Sequence, residues 1–597
     1  MPVRNVIATA GHVDHGKSTL IRALTGMEPD RWEEERRRGL TIDLGFAWTT
    51  LPSGRSIAFV DVPGHQRFLA NTLAGLGPAP VVCFVVAADE GWRAQSSDHR
   101  DAVAALGIRH GLIAITRADR APERGAEVLA QARAELAETG LRDAPGVIVS
   151  AVDGTGLDEL RAALDGVLDR LPVPDTTSRL RLWVDRSFTI TGAGTVVTGT
   201  LAAGTVACGD RLDVVGAKRM RSAVIRGLQS CGQPYATLGP VARVALNLRG
   251  VSRDAIHRGD ALVTPDAWPS TRTLDVRRTT GGPLTEVATQ IVVHVGTAAV
   301  PARLRPFDDD HGRLTLDRRL PLVLGDRLVW RVPGSAGVLG GAQVLDADPP
   351  VLRRRGDSAR RAAVLAAMDA RGDVVAEVAR RGAVPESHLR RLGLSRESVP
   401  AEVRVVGGWW VHRPAYDAWQ QRLRAAVDEL HTRDPLAAGL SRGAACDLLA
   451  LPDKALLDAV ARDAGLEQDG GHIRVAGARD DLGRAEVAVG ELETRLRAEP
   501  FRAPEAYELS ALHLGVRELA AAERAGRVLR LRDGVVLLPT APALAMRELA
   551  RLEQPFTTSQ ARQALSTTRR VAIPLLEHLD ARGWTRRLDA GHREVVR

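Results

Sequence analysis

The segment GHVDHGKS at 11–18 sets two glycines, a lysine and a serine at the spacing G-x-x-x-x-G-K-[ST], and what that spacing offers is a cradle for phosphate. Gly11 and Gly16 let the backbone curl, so that the N–H groups of Asp14, His15, Gly16, Lys17, Ser18 and Thr19 can face phosphate oxygens beside the positive end of a helix. Lys17 adds a compact point charge for the β- and γ-phosphates. It is one of only three lysines, with Lys218 and Lys454, in a chain whose other cations are arginine, and a guanidinium is badly shaped for this position. Ser18 offers its hydroxyl to Mg²⁺. Thr41, in RRRGLTID, brings a second hydroxyl for that ion. DVPGH at 61–65 brings the carboxylate of Asp61 for the metal and the N–H of Gly64 for the γ-phosphate. TRAD at 116–119 and the pair at 150–151 end expected strands, where α/β sheets place their ligands, and contribute Thr116, Arg117, Asp119, Ser150 and Ala151. Asp119 selects the base: an ionised carboxylate only accepts hydrogen bonds, which suits N1–H and the exocyclic amine of guanine and faces an acceptor in adenine. GTP or GDP with Mg²⁺ is the expected cofactor set.

The elements that must hold these residues are legible as apolar β-branched runs at 3–10, 57–62, 81–87, 112–116 and 146–150, alternating with helix-length segments at 18–26, 94–106 and 123–139. That alternation predicts a mostly parallel sheet wrapped by helices. With 597 residues the chain exceeds one core and predicts several domains. No apolar run reaches the ~18 residues of a membrane helix. The N-terminus lacks the pattern of a signal peptide, so a cytoplasmic chain without membrane association is expected, with monomer as the default. The cysteines, Cys83, Cys208, Cys231 and Cys446, show no metal-ligand spacing and read as reduced core or surface residues. The net charge of +8 hints at an anionic partner.

In their order, GHVDHGKS, RRRGLTID, DVPGH and TRAD resemble the G domain of translational GTPases of the elongation factor Tu type. The resemblance implies that His65 orients the attacking water, and that Val13 and Leu40 form an apolar gate holding His65 back until the ribosome docks. One departure matters. That family usually carries Asn and Lys where this chain has Thr116 and Arg117; Arg117 can still stack on the base, but Thr116 loses an amide, which predicts looser nucleotide binding and spontaneous exchange.

After 171–178 the chain turns strand-rich until about 350, predicting two small β-barrels. The run WVDRSFTITGAGTVVTGTL at 183–201 reads as two strands around a turn, with a charged pair, Asp185-Arg186, in an unexpected place. That pair, with Arg243 in VARVALNL, resembles the selenocysteine-specific elongation factors of bacteria. The chemistry favours the resemblance: a selenol is more acidic than a thiol, whose reference pKa is ~8.5. A free selenocysteine side chain is therefore anionic where serine and cysteine are mostly neutral, and arginines facing it can separate by charge what size cannot.

Beyond 351 the composition changes to Ala/Leu/Arg-rich helical runs with hairpin signals about sixty residues apart, near Gly407, Gly470, Gly534 and Gly591. These read as winged helices. Segment 557–597 carries eight arginines against four acids. Arg569 and Arg570 are placed at a helix start, with Arg586 and Arg587 on a wing, a face suited to an RNA hairpin.

The expected organisation is therefore an α/β P-loop GTPase domain at 1–172, β-barrels at 173–266 and 267–350, and winged helices at 351–415, 416–478, 479–541 and 542–597. The resemblance implies a GTP-dependent carrier of selenocysteinyl-tRNA, delivering to the ribosome at a UGA codon beside an mRNA hairpin. The alternative is a metabolic or regulatory GTPase of translational type with a nucleic-acid-binding tail.

Overall fold

The apolar runs of the first 150 residues line up as one sheet. Strands β1 (Arg4–Ala10), β2 (Gly45–Thr50), β3 (Ser56–Asp61), β4 (Val81–Ala87), β5 (His110–Thr116) and β6 (Gly146–Ile148) stand in the order β2-β3-β1-β4-β5-β6. The pair β2–β3 is antiparallel and the remaining pairs are parallel. This structure, a computed structural model, describes residues 4–29, 41–216, 221–334, 337–369, 372–394, 398–475 and 482–596.

Helices α1 (Lys17–Thr25), α2 (Leu69–Leu76), α3 (Ala94–Leu106), α4 (Gly125–Leu136) and α5 (Leu157–Asp169) cover the sheet. Val6, Val82, Phe84 and Val86 pack with α2, α3 and α4. Their strand neighbours Ile7, Val81, Cys83 and Val85 pack with α1 and α5. Both faces of each central strand are thus buried, which is why these strands read as unbroken apolar runs rather than alternating ones. The chain leaves β1 for α1 at the point where β1's neighbours are β3 on one side and β4 on the other, the crevice where open α/β sheets bind ligands.

The first barrel comprises β7 (Arg181–Ile190), β8 (Gly194–Leu201), β9 (Arg211–Val215), β10 (Arg221–Ser230), β11 (Ala242–Arg249) and β12 (Ala261–Val263). They run in the order β9-β12-β7-β8-β11-β10 and close through β9–β10. Between β7 and β8 the register steps from Val184 opposite Gly199 to Arg186 opposite Thr198, leaving Asp185 as an extra residue in the strand. This β-bulge answers why two charges sit side by side in a strand: the added residue re-aims Asp185 and Arg186 out of simple alternation.

The second barrel holds β13 (Thr271–Gly281), β14 (Gln290–Val295), β15 (Ala298–Pro306), β16 (His311–Leu320), β17 (Arg327–Arg331) and β18 (Gly340–Asp346), closed in the order β13-β16-β15-β14-β17-β18. The helix Asp357–Ala367 is tied to it by Arg361, whose Nε donates to Asp275 at 2.6 Å and whose Nη2 donates to Asp346 at 2.5 Å.

The chain divides into two units, one of residues 1–374 and 386–397, the other of 375–385 and 398–597. In the second unit the hairpins recur near the predicted glycines: Val403–Val406 with Trp409–His412, Leu466–Asp469 with His472–Val475, Leu529–Arg530 with Val536–Leu537, and Thr585–Arg587 with His592–Val595. A short third strand joins the first, second and fourth of these. The expected boundary between 415 and 416 falls inside one continuous helix, Arg413–Arg433. Apolar contacts also link neighbouring modules. Val411 and Tyr416 share a core with Leu457 and Ile473, and a single core runs from Leu482 to Leu579. Among the described residues no helix is long and apolar enough to cross a membrane.

Candidate functional site

The turn from β1 to α1 is built on close approach. A Cβ on Gly11 would lie 2.1 Å from the Val85 carbonyl oxygen, and Asp14 and Gly16 take positive φ of 63° and 78°. Lys17 Nζ donates to the carbonyls of Gly11 at 3.0 Å and His12 at 2.8 Å, which holds the ammonium inside the loop. Ser18 Oγ lies 3.1 Å from Thr41 Oγ1 and donates to Asp61 Oδ2 at 2.6 Å, while Thr9 Oγ1 donates to Asp61 Oδ1 at 2.7 Å. Two hydroxyls and a carboxylate thus converge on one point, a hard-oxygen set that fits Mg²⁺. Burial pushes the Asp61 carboxyl up from its ordinary value, while the Lys17 charge and the Ser18 and Thr9 hydroxyls pull it back. A cation there would favour the ionised form.

The same cleft, of about 540 Å³, gathers the predicted nucleotide residues Asp14, Gly16 to Thr19, Gly64, Thr116, Arg117, Asp119 and Ala151, with Thr41. Gly64 allows no side chain, because a Cβ would sit 2.4 Å from Val13 N and 2.5 Å from Lys17 Nζ. Asp119 accepts from Ser150 Oγ at 2.8 Å and is held facing the cleft. His15 and Ser150 lie beneath the cleft, and both are fully buried. Burial brings His15 down to about 3, so its ring is a neutral packing group.

Two of these residues act otherwise than their types suggest. The Arg117 head group, expected over the base, is committed to Glu90 at 2.9 Å, Asp89 at 3.1 Å and the Asp14 carbonyl. Thr116 lacks an amide, but its Oγ1 donates to the His15 carbonyl at 2.7 Å and ties the phosphate loop to β5. The sequence reading missed two further supports. His99 Nδ1 accepts from Gly11 N–H at 2.9 Å, and Gln95 Oε1 accepts from Val13 N–H at 3.2 Å. Burial holds His99 down at about 3, so it is neutral, as an acceptor must be. Their signal was available: Gln95 and His99 stand four apart and share one face of a helix.

His65 is half-buried, and its Nδ1 accepts from Arg67 N–H at 3.2 Å. Its neighbour Gln66 donates to Asp98 at 2.7 Å. Val13 lines the cleft, whereas Leu40 lies outside the described residues.

At the first barrel, Asp185, only 6% exposed, accepts from Arg243 through both carboxylate oxygens, with Nη2 to Oδ1 at 2.7 Å, and from Thr198 Oγ1 at 2.6 Å. Arg186 donates to the Leu44 carbonyl and lies 3.7 Å from Asp43, which also pairs with Arg258 at 2.9 Å. Phe46 of β2 supplies an aromatic face to both guanidiniums, 4.6 Å from Arg186 and 4.0 Å from Arg243. A cavity of about 180 Å³ opens here, lined by Phe46, Trp48, Arg186, Phe188, Cys231 and Arg243. The fold thus brings the predicted trio together and adds Phe46, which no local pattern in its own strand announced.

In the last module Arg569 and Arg570 open the helix Arg569–Ala581, and Arg586 and Arg587 lie on the wing strand Thr585–Arg587, as placed from the sequence. Their surroundings differ. Arg569 and Arg587 are exposed. Arg570 Nη2 donates to the carbonyls of Ala503 and Pro504 and pairs with Glu505, each at 3.1 Å, and Arg586 pairs with Glu594. Arg593, counted in the basic face, is buried and pairs with Asp580 at 2.8 Å. Arg597 lies outside the described residues.

Comparison with known proteins places these features in a family. Residues 1–170 match the elongation factor Tu GTP binding domain, 271–351 the β-barrel domain of selenocysteine-specific elongation factor, and 547–593 the winged helix of elongation factor SelB. A selenocysteine-specific elongation factor of Escherichia coli K12 is 32% identical over 98% of this chain and 98% of its own length. One from Desulfomicrobium baculatum is 32% identical over 74% of this chain and 73% of its own. The crystal structure of a bacterial selenocysteine-specific elongation factor, EF-Sec, superposes with a TM-score of 0.77 at 26% identity, covering all of both chains.

Proposed function

This chain belongs to the selenocysteine-specific elongation factor family, and from that premise we propose how its sites divide the work. It is a translational GTPase that binds GTP and GDP and serves selenocysteine incorporation. The alternative of a metabolic or regulatory GTPase is not favoured, because the likeness runs through the barrels and the tail as well as the G domain.

Lys17 and the N–H groups of 14–19 hold the phosphates, and Asp119, kept in place by Ser150, reads guanine. Ser18, Thr41 and Asp61 would hold Mg²⁺, which when bound neutralises phosphate charge during phosphoryl transfer. His65 holds the attacking water. Its Nδ1 accepts from Arg67 N–H, so the ring proton sits on Nε2, and that nitrogen can hold a water oxygen but cannot take its proton. Positioning rather than deprotonation suits a reaction in which geometry and charge dominate. Val13 and Leu40 gate this histidine until the ribosome docks. In the tail, exposed Arg569 and Arg587 meet the phosphates of an mRNA hairpin beside a UGA codon.

The observation that carries the specificity reading is the Asp185 bulge. It locks Arg243 in a two-point ion pair and leaves Arg186 beside it, so that two fixed guanidiniums face one cavity at the edge of the G domain. An anionic selenolate gains charge-assisted interaction there, and a neutral hydroxyl or thiol gains little. The test compares binding of selenocysteinyl-tRNA and seryl-tRNA in the presence of GTP. A preference for the first supports the reading, and equal affinities would overturn it.

A further inference from the structure

One face of α3 reaches two segments that border the nucleotide cleft. Gln95, Asp98 and His99 stand at positions i, i+3 and i+4 of that helix, so their side chains share a face. Gln95 and His99 accept from the N–H groups of Val13 and Gly11 and thereby fix the phosphate loop. Asp98 holds the other segment. Its Oδ2 accepts from Gln66 Nε2 at 2.7 Å, and Gln66 is the residue that follows His65.

The turn that Gln66 opens carries His65 with it. Gln66–Phe68 is a single turn of 3-10 helix with His65 as its N-cap; the imidazole Nδ1 accepts from Arg67 N–H at 3.2 Å, and the ring centre lies 6.1 Å from that of Phe68. The imidazole is thus engaged with its own turn. Among the described residues, Gly64 lines the nucleotide cleft and His65 does not. A histidine tied to a turn one residue beyond the cleft has to be released with that turn before it can meet a water at the γ-phosphate.

Asp98 is itself set in place by the second barrel. The segment ahead of β18 covers it, since a Cβ on Gly337 would stand 3.4 Å from Asp98 Oδ1. Burial pushes the Asp98 carboxyl up, the hydrogen bond from Gln66 pulls it back, and the charges of Asp101 on the same helix and Arg331 of β17 act in opposite directions. At a half-buried acceptor, where water competes poorly, a hydrogen bond holds more firmly than at an open surface.

We propose that the Gln66–Asp98 hydrogen bond is a latch: it holds the 65–68 turn against α3 and keeps His65 out of the cleft, which makes Asp98 a positioning residue that restrains GTP hydrolysis until the ribosome docks. The inference rests on the reading of His65 as the residue that orients water, and it adds a polar restraint to the apolar gate of Val13 and Leu40.

The experiment uses the full chain with Mg²⁺ and follows single-turnover GTP hydrolysis with and without ribosomes, beside GTP affinity. Asp98→Ala should raise hydrolysis without ribosomes about tenfold, the population shift that follows from losing one hydrogen bond to a charged acceptor. Gln66→Leu should do the same. The double variant should rise no further, because both changes remove a single bond. Asp98→Asn keeps an acceptor for Gln66 and should stay near the wild-type rate. GTP affinity should hold in all four variants, since Gln95 and His99 still support the phosphate loop. Adding His65→Ala to Asp98→Ala should cancel the gain. Wild-type hydrolysis by His65→Ala on the ribosome would overturn the water-orienting reading and the latch together. Hydrolysis that needs His65 yet is not raised by Asp98→Ala would overturn the latch alone.

Discussion

The guanidinium of Arg243 lies 4.0 Å from the centre of the Phe46 ring, so a barrel cation rests on a side chain of the G domain. Arg186 shares the same ring from 4.6 Å. Phe46 stands five residues after Thr41, whose hydroxyl lies 3.1 Å from Ser18 Oγ in the proposed Mg²⁺ set. One short stretch of chain therefore joins the nucleotide cleft to the arginine pocket. Phe46→Leu keeps the apolar volume and removes the ring. GTP affinity should hold, and aminoacyl-tRNA affinity should fall about tenfold with the loss of two cation–π contacts of ~0.5–1 kcal/mol each. Fluorescence titration of both ligands reads the split, and equal losses in the two would contradict it.

Arg186→Ala should lower the preference for selenocysteinyl- over seryl-tRNA by about tenfold, since a charge-assisted hydrogen bond contributes ~1.5 kcal/mol or more. Asp185→Asn acts differently. It strands the Arg243 guanidinium without its two-point partner in a buried place, and should cost about 3 kcal/mol of stability as well as selectivity. Chemical denaturation beside the binding assay separates the two variants, and an Arg186→Ala protein with intact preference would remove the arginine from the pocket's chemistry.

Asp119→Asn should trade guanine for xanthine, because the amide can donate where the carboxylate could only accept. Competition between GTP and XTP for the mutant measures this. Equal GTP affinity in both proteins would show that another group reads the base.

Gly64→Ala places a methyl where Val13 N and Lys17 Nζ already stand. Neither can move without disturbing the phosphate loop, so the substitution should abolish GTP hydrolysis and weaken GTP binding. Single-turnover hydrolysis with the ribosome present gives the answer, and a wild-type rate would mean that the 61–65 segment sits elsewhere when nucleotide is bound.

Acid should loosen the G domain through His99. Its folded-state value of about 3 lies below the ordinary 6.5, so between those values the unfolded chain binds a proton that the folded chain refuses. Stability from this group is complete above about pH 6.5 and is lost as pH falls toward 3. His99→Asn keeps an acceptor for Gly11 N–H and removes the titration. The mutant's unfolding free energy should fall less steeply than that of wild type across this window, with His15, also near 3, retaining its share of the slope. Parallel slopes in denaturant titrations would refute the assignment.

Much of the nucleotide site was legible before any fold was known. The spacing of Gly11, Gly16, Lys17 and Ser18 encodes a local turn, and local turns are set by φ preferences and by neighbours a few residues away. Asp61, Gly64 and Asp119 followed because each ends or follows an apolar strand, and strand ends in an open sheet share one edge, whereas Thr41, which stands before β2, was legible only from its segment RRRGLTID. The tail was legible as repeats, although its modules fuse in pairs, because the sequence shows each hydrophobic stripe but not which neighbour's stripe covers it.

The sequence by itself determined what chemistry the residues offer: a phosphate cradle, a carboxylate suited to guanine, and charges placed in a strand that has no ordinary use for them. Tertiary structure alone decided which distant groups serve that chemistry. Gly11 is supported by His99 from α3, Arg117 is spent on Asp89 and Glu90, Phe46 crosses from the G domain to meet Arg186 and Arg243, and Arg570 and Arg593 are drawn from the basic face into ion pairs. The reason is range. A motif's geometry is fixed by bonds within a few residues, whereas an arginine's partner is fixed by whichever carboxylate, carbonyl or ring the packing of remote elements brings within about 4 Å, a distance over which charge in a low-dielectric setting outweighs any local preference.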